Sequence, residues 1–133
     1  MKTLYIVKAN PIIGREDEFN RWYDEIHLDE VLQISGFKSA QRFIVTEQQM
    51  QPSQSHSYLA IYELDDDDLE KTLQNLREAS WLTMNDALDF ATIDVSVSKS
   101  SMFAMGAIPA LLTNPSKRPN FLLTTFINSD QPA

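Results

Sequence analysis

Imidazole is the side chain that both donates and accepts a proton near neutral pH without a strongly shifted pKa, and this chain carries two, His27 and His56. His27 follows Tyr23 by one turn and precedes Glu30 and Val31 by one turn, in the stretch W-Y-D-E-I-H-L-D-E-V. Residues three and four apart share a helix face, so this spacing sets His27 on the aromatic, core-facing side. An imidazole there can remove or return a proton next to a carbonyl or phenol, with Asp24 or Glu30 orienting the ring. Arg42 stays charged and offers a planar fork, suited to an acidic substrate group or to an enolate. Trp22, Tyr23, Tyr58 and Tyr62 are candidate substrate-binding walls around that pair. Each has a plainer alternative. His27 can be a hydrogen-bonded core residue, Arg42 half of a strand-surface salt bridge, and Trp22 and Tyr23 core packing. His56 lies in the polar run E-Q-Q-M-Q-P-S-Q-S-H-S and is expected to be solvated.

These residues need a helix and strands to hold them. Phe19, Trp22, Tyr23 and Ile26, then Leu28, Val31 and Leu32, predict an amphipathic helix from about Glu16 to about Leu32. Glu16, Asp17 and Glu18 suit the positive end of that helix, and Gly36 suits a left-handed residue after its last turn. Beyond Gly36 the period becomes two, with Phe37, Phe43 and Val45 on one side and Ala40, Arg42 and Ile44 on the other. Thr3 to Lys8 and Ser57 to Leu64 read as two further strands, apolar on both faces. Asp65 to Asp68 suggests a metal site, but adjacent side chains diverge and EF-hand spacing is lacking, so an N-cap with an acidic first turn fits better. Leu69, Leu73 and Leu76 give a second helix ending near Ala79, with Trp81 and Leu82 tucked under it. A short helical turn is expected over 83–90. The last strand lies in 92–105, at Ile93 to Val97, at Met102 to Met105, or across both.

Asn20, Trp22, Tyr23, His27, Leu28, Val31, Gly36, Phe37, Ala40, Arg42 and Phe43, in this order, resemble the helix and second strand of EthD-like proteins of the dimeric α+β barrel superfamily. The resemblance covers the first third of the chain, and the later element order is compatible with it. It implies an α+β, ferredoxin-like βαββαβ fold with an antiparallel four-stranded sheet that pairs into a dimeric α+β barrel. Activities in such proteins are varied. They include cofactor-free oxygenases, cyclases, dehydratases and isomerases on small, often aromatic or polyketide molecules, so fold is implied more firmly than reaction.

The 133 residues suffice for one domain, placed at 1–106, with a C-terminal extension at 107–133 expected to pack on the domain or on a partner subunit. No cysteine is present, which removes disulfides, thiol nucleophiles and cysteine-based metal sites. A formal charge of −8 with only 11 scattered Lys and Arg argues against nucleic acid as a partner. No apolar run is long enough to span a membrane, and a cytoplasmic location is the expectation. No glycine-rich phosphate loop or nucleophile elbow occurs, and His27 lacks a second imidazole at helical spacing, so neither a metal nor a cofactor is expected. Two helices can cover one side of such a sheet, which leaves the other apolar face for a homodimer. The reading is a small cofactor-independent enzyme, a lyase, isomerase or oxygenase on a small cyclic or aromatic acid, with His27 as general acid/base and Arg42 beside it. The alternative is a non-catalytic small-ligand-binding or stress-related dimer module.

Overall fold

The computed structural model describes residues 2–65 and 67–100. Alternating apolar residues draw β1 (Thr3–Ala9) and β3 (Tyr58–Leu64) together as the central strands of an antiparallel four-stranded sheet. β2 (Phe37–Ile44) pairs with β3, and β4 (Asp94–Lys99) pairs with β1, giving the order β2-β3-β1-β4. Each βαβ half thus brackets a strand of the other half, the ferredoxin-like arrangement expected above. The last strand takes the first of the expected positions, and 102–105 lies outside the described residues, as does the 107–133 extension.

Between β1 and β2 the chain is helical from Glu16 to Val31, in three pieces. α1 (Glu16–Trp22) passes into a π-helical turn (Tyr23–His27) and then α2 (Leu28–Val31). The run closes at Leu32, and Gly36, four residues further on, turns the chain into β2 at φ +97°, a conformation that costs glycine little and an L side chain more. α3 (Leu69–Arg77) begins at Asp68, whose carboxylate accepts from the Lys71 amide at 3.1 Å, so the aspartate run does cap a helix. Leu69, Leu73 and Leu76 pack against the core.

Register decides which side chains face the helices. Tyr5 lies opposite Tyr62, Val7 opposite Ala60 and Ala9 opposite Tyr58, and β2 adds Ala40, Arg42 and Ile44 to that face. Phe37 joins it too, being buried at 6% exposure and edge-on to Tyr62. Strict alternation had set Phe37 opposite Ala40. A β-bulge between Phe37 and Ser39 adds one residue and reverses the parity. The core between helices and sheet contains Phe19, Trp22, Tyr23, Val31, Ile34, Tyr58, Ala60 and Tyr62.

The far face of the sheet carries Leu4, Ile6, Leu59, Ile61 and Phe43 among Lys8, Gln41, Glu63, Ser96 and Ser98, and no described helix covers it. The expectation of two largely apolar faces therefore holds for the central strands. Three local expectations do not. Trp81 is half exposed rather than tucked under α3, whereas its neighbour Leu82 does pack against the core. No helix forms over 83–89; Leu88 N–H closes a single turn on the Asn85 carbonyl at 3.3 Å, and Ile12 N–H bonds the Ala87 carbonyl at 2.7 Å, so a Pro11–Leu88 bridge ties this turn to the end of β1. His56 is not simply solvated. Its Nε2 lies 2.6 Å from the Thr92 carbonyl and its Nδ1 2.8 Å from Ser55 Oγ, so it ties the β2–β3 loop to the start of β4.

Candidate active site

Tyr23 is the hub of the site, because the first helix and β2 both bring their chemically distinctive residue against its ring. His27 stands edge-on to Tyr23 at 5.1 Å between centroids, and the Arg42 guanidinium lies 4.4 Å from the same centroid. His27 also stacks on Trp22, 4.5 Å away and 26° from parallel. Residues five apart point about 140° away from each other on a regular α-helix, too far for stacking. The π turn removes that separation: Leu28 N–H bonds the Tyr23 carbonyl five residues back, and the wider turn carries His27 round onto Trp22.

Burial among these rings sets the state of His27. Desolvation pushes its pKa down to about 4, with the nearby Glu30 carboxylate opposing, so the imidazole is neutral at pH 7. Its Nδ1 is shut off from solvent with no hydrogen-bond partner among the described residues. Neither expected orienting carboxylate serves it. Glu30 accepts from Thr83 N–H at 2.7 Å and from the Thr83 hydroxyl at 3.0 Å, and Trp22 Nε1 donates to the Thr83 carbonyl at 2.8 Å. Asp24 is taken by Arg42. The loop at Thr83 thus fixes the helix from outside while leaving the imidazole to its aromatic neighbours.

Arg42 occupies a built position. Its Nη1 donates to Asp24 at 2.8 Å and its Nη2 to Asn20 Oδ1 at 2.8 Å, and the guanidinium also lies 5.1 Å and 5.4 Å from the Tyr58 and Phe19 rings. The Arg42 side chain is only 11% exposed whereas that of Asp24 is 61% exposed, so the cation is enclosed and its counter-charge faces water. Cation–π attraction from three rings and the ion pair together offset the cost of that burial. Two of the five guanidinium N–H donors are engaged by these bonds.

Tyr58 completes the polar group. Its hydroxyl accepts from Asn20 Nδ2 at 3.0 Å and donates to Glu16 Oε1 at 2.5 Å, the short length of a charge-assisted bond. Burial raises the Tyr58 pKa, the Asn20 amide opposes, and the adjacent Glu16 raises it further. Tyr62 lies deeper, at 1% exposure, with its hydroxyl near that of Tyr23 but without hydrogen-bond geometry; burial holds its phenol well above the usual range.

An open cleft of about 360 Å³ lies over this group, lined by Asn20, Asp24, Arg42, Phe43, Ile44 and Tyr58. A neighbouring cleft of about 450 Å³ runs along the turn into α1 and is lined by Glu16 together with residues such as Ile13, Ser57 and Asp89. His27 lines neither of them. The structure therefore brings Arg42 and Tyr58 to one cleft, places Trp22, Tyr23 and His27 in one aromatic stack behind it, and sets Tyr62 beneath. Glu16 and Asn20 were not among the candidates read from sequence. Together with Asp24 they recur every four residues on one helix face, a polar row beside the strand that carries Arg42, and that period was the available signal. Among the described residues no three His, Asp or Glu side chains converge to hold a metal ion, and no helix is long and apolar enough to cross a membrane.

Fold and site together define a small ferredoxin-like α+β protein with an arginine-centred polar cleft. The chain matches no protein-family model and no curated protein. Its fold is similar to that of a provisionally assigned monooxygenase from Shewanella loihica PV-4, at TM-score 0.50 and 12% identity over 76% of this chain and 97% of that one. An EthD family protein from Bacillus halodurans C-125 aligns at TM-score 0.47 and 12% identity, over 76% of this chain and 100% of that one. HapK from Hahella chejuensis aligns at TM-score 0.40 and 14% identity, over 77% and 94%. The ferredoxin-like α+β architecture expected from the sequence is the architecture found.

Proposed function

We propose that the protein is a small cofactor-independent enzyme of lyase, isomerase or oxygenase type acting on a small cyclic or aromatic acid, with Arg42 holding the acid and His27 as general acid/base. The observation that carries this reading is the enclosed Arg42, fixed by Asp24 and Asn20 at a cleft whose other walls are Phe43, Ile44 and Tyr58. A fixed cation beside apolar walls suits a flat ring bearing a carboxylate. His27, neutral and with an unpartnered Nδ1, can accept a proton without first losing one. Trp22, Tyr23, Tyr58 and Tyr62 supply the aromatic surroundings. In this reading the protein works in the cytoplasm as a homodimer packed through the open face of the sheet, and the 107–133 extension packs on the domain or on the partner subunit.

Solvent-deuterium exchange tests the chemistry whatever the final product. Cyclic and aromatic keto acids are incubated with protein in D₂O, and loss of the proton next to the carbonyl is followed by NMR. Exchange should be catalysed by the natural protein and fall about 100-fold or more in His27→Gln, the usual weight of a general base. Full exchange by a folded His27→Gln protein removes His27 from the mechanism. One observation favours a second reading, a non-catalytic small-ligand-binding module: His27 is packed among rings and lines neither cleft beside the site. That reading expects aromatic acids to bind without exchange and His27→Gln to lower the melting temperature alone.

A further inference from the structure

We propose that Tyr58 and Glu16 form a proton relay connecting the two clefts, which takes a proton from a hydroxyl of the ligand beside Arg42 and releases it to solvent at the turn into α1. The inference rests on the proposed placement of an aromatic acid or phenol beside Arg42, and not on His27. Three observations carry it. Tyr58 lines the cleft that holds Arg42, and Glu16 lines the neighbouring one. The Tyr58–Glu16 bond is 2.5 Å long, and the Tyr58 hydroxyl is held in line by Asn20. Asn20 in turn accepts from Arg42, so one hydrogen-bonded chain runs from the cation to the exposed carboxylate.

Every atom in the relay is accounted for. The ligand O–H bond breaks as its proton joins Tyr58 Oη. At the same time the Tyr58 proton passes along the short bond to Glu16 Oε1. The ligand is left as a phenolate or enolate, stabilised by the Arg42 guanidinium, and Glu16 is left as a carboxylic acid at a solvent-exposed position, from which water removes the proton. No oxidant or cofactor is needed. The charged and titratable groups facing Tyr58 are Glu16 from α1 and Arg42 from β2, with the neutral Asn20 amide between them. A carboxylate placed to receive the proton and a cation placed to receive the negative charge drive the transfer the same way.

A coloured phenol reads the step directly. 4-Nitrophenol ionises with a visible absorbance change, and benzoate occupies the same cleft with no hydroxyl to lose. The natural protein should bind both, and should lower the apparent pKa of bound 4-nitrophenol. Glu16→Gln, a conservative change on an exposed first turn, should keep benzoate affinity within about twofold and leave the Arg42-set pKa shift in place, but slow the ionisation of bound 4-nitrophenol after a temperature jump about tenfold or more. Tyr58→Phe, which also alters a wall of the cleft, should slow the ionisation by as much whatever it does to benzoate affinity, with its folding checked by circular dichroism. Benzoate binding with a 4-nitrophenol ionisation rate that is unchanged in folded Glu16→Gln overturns the relay and leaves the arginine cleft intact. Failure of both probes to bind overturns the arginine cleft itself and the relay with it.

Discussion

At the residue scale, His27 is unusual in having its neutral form favoured by folding. Its pKa stands near 4 in the native state against 6.5 as the ordinary value, with burial as the main cause and Glu30 working against it. For such a group the contribution to stability is fully present above the unfolded pKa. It is lost as pH falls from about 6.5 toward 4, because the unfolded chain takes up a proton that the native chain refuses. The loss is on the order of 2–3 kcal/mol. Urea unfolding measured at pH 7 and at pH 4 should show natural protein losing more stability than His27→Gln by about that amount. The difference is the informative quantity, since every other ionisable group is common to both proteins. An NMR titration placing the His27 midpoint near 6.5 contradicts the buried assignment. Arg42 illustrates the other side of the same physics: a cation that cannot neutralise itself must be enclosed by rings and paired, and here both conditions are met.

At the scale of elements, the π turn and the Gly36 turn do the positioning. One extra residue in the turn at 23–27 rotates α2 relative to α1, so His27 stacks on Trp22 while Asp24 remains on the row that meets Arg42. Gly36 matters twice. Its φ of +97° favours glycine, and a Cβ there would overlap the Thr72 hydroxyl and come within 2.6 Å of the Thr72 methyl on α3. Gly14 has a similar φ of +85° but open space where a Cβ would go. Gly14→Ala should therefore cost only the left-handed strain, about 1–2 kcal/mol. Gly36→Ala adds overpacking of about 1–3 kcal/mol and should cost clearly more. Equal losses in urea denaturation would show that the close approach of the β2 turn to α3 contributes nothing. The β-bulge next to this turn has a comparable effect on the sheet, since it places Phe37 and Arg42 on the same face.

At the scale of the whole molecule, the sheet has one face under helices and one face that no described helix covers. Leu4, Ile6, Ile61 and Phe43 lie on the open face, and Phe43 is 39% exposed. Covering a few hundred Å² of such surface is worth several kcal/mol at roughly 25 cal/mol per Å². A second copy packed face to face is the economical cover, because twofold symmetry matches the surface to itself. Sedimentation velocity should find a dimer for the natural protein and a folded monomer for Ile61→Glu, which sets a charge at the centre of the contact. A natural protein that sediments as a monomer at high micromolar concentration ends the homodimer proposal. Phe43 and Ile44 sit where the open face meets the arginine cleft, so loss of the dimer should also weaken benzoate binding.

The element order, the helix face bearing Trp22 and Tyr23, the left-handed Gly36 and the cap at Asp68 were legible from sequence because each depends on local spacing, and local spacing is what a linear pattern records. The β-bulge and the π turn were not. Each inserts one residue without leaving a compositional mark, and each changes which side chains meet. Asp24 and Glu30 each lie within one turn of His27, yet the carboxylates bind Arg42 and Thr83 instead of the imidazole. Partners of that kind come from segments 18 and 53 residues away. Only the folded chain decides such contacts, because competition for a hydrogen bond is settled by distance in space and by which group is cheapest to leave in water.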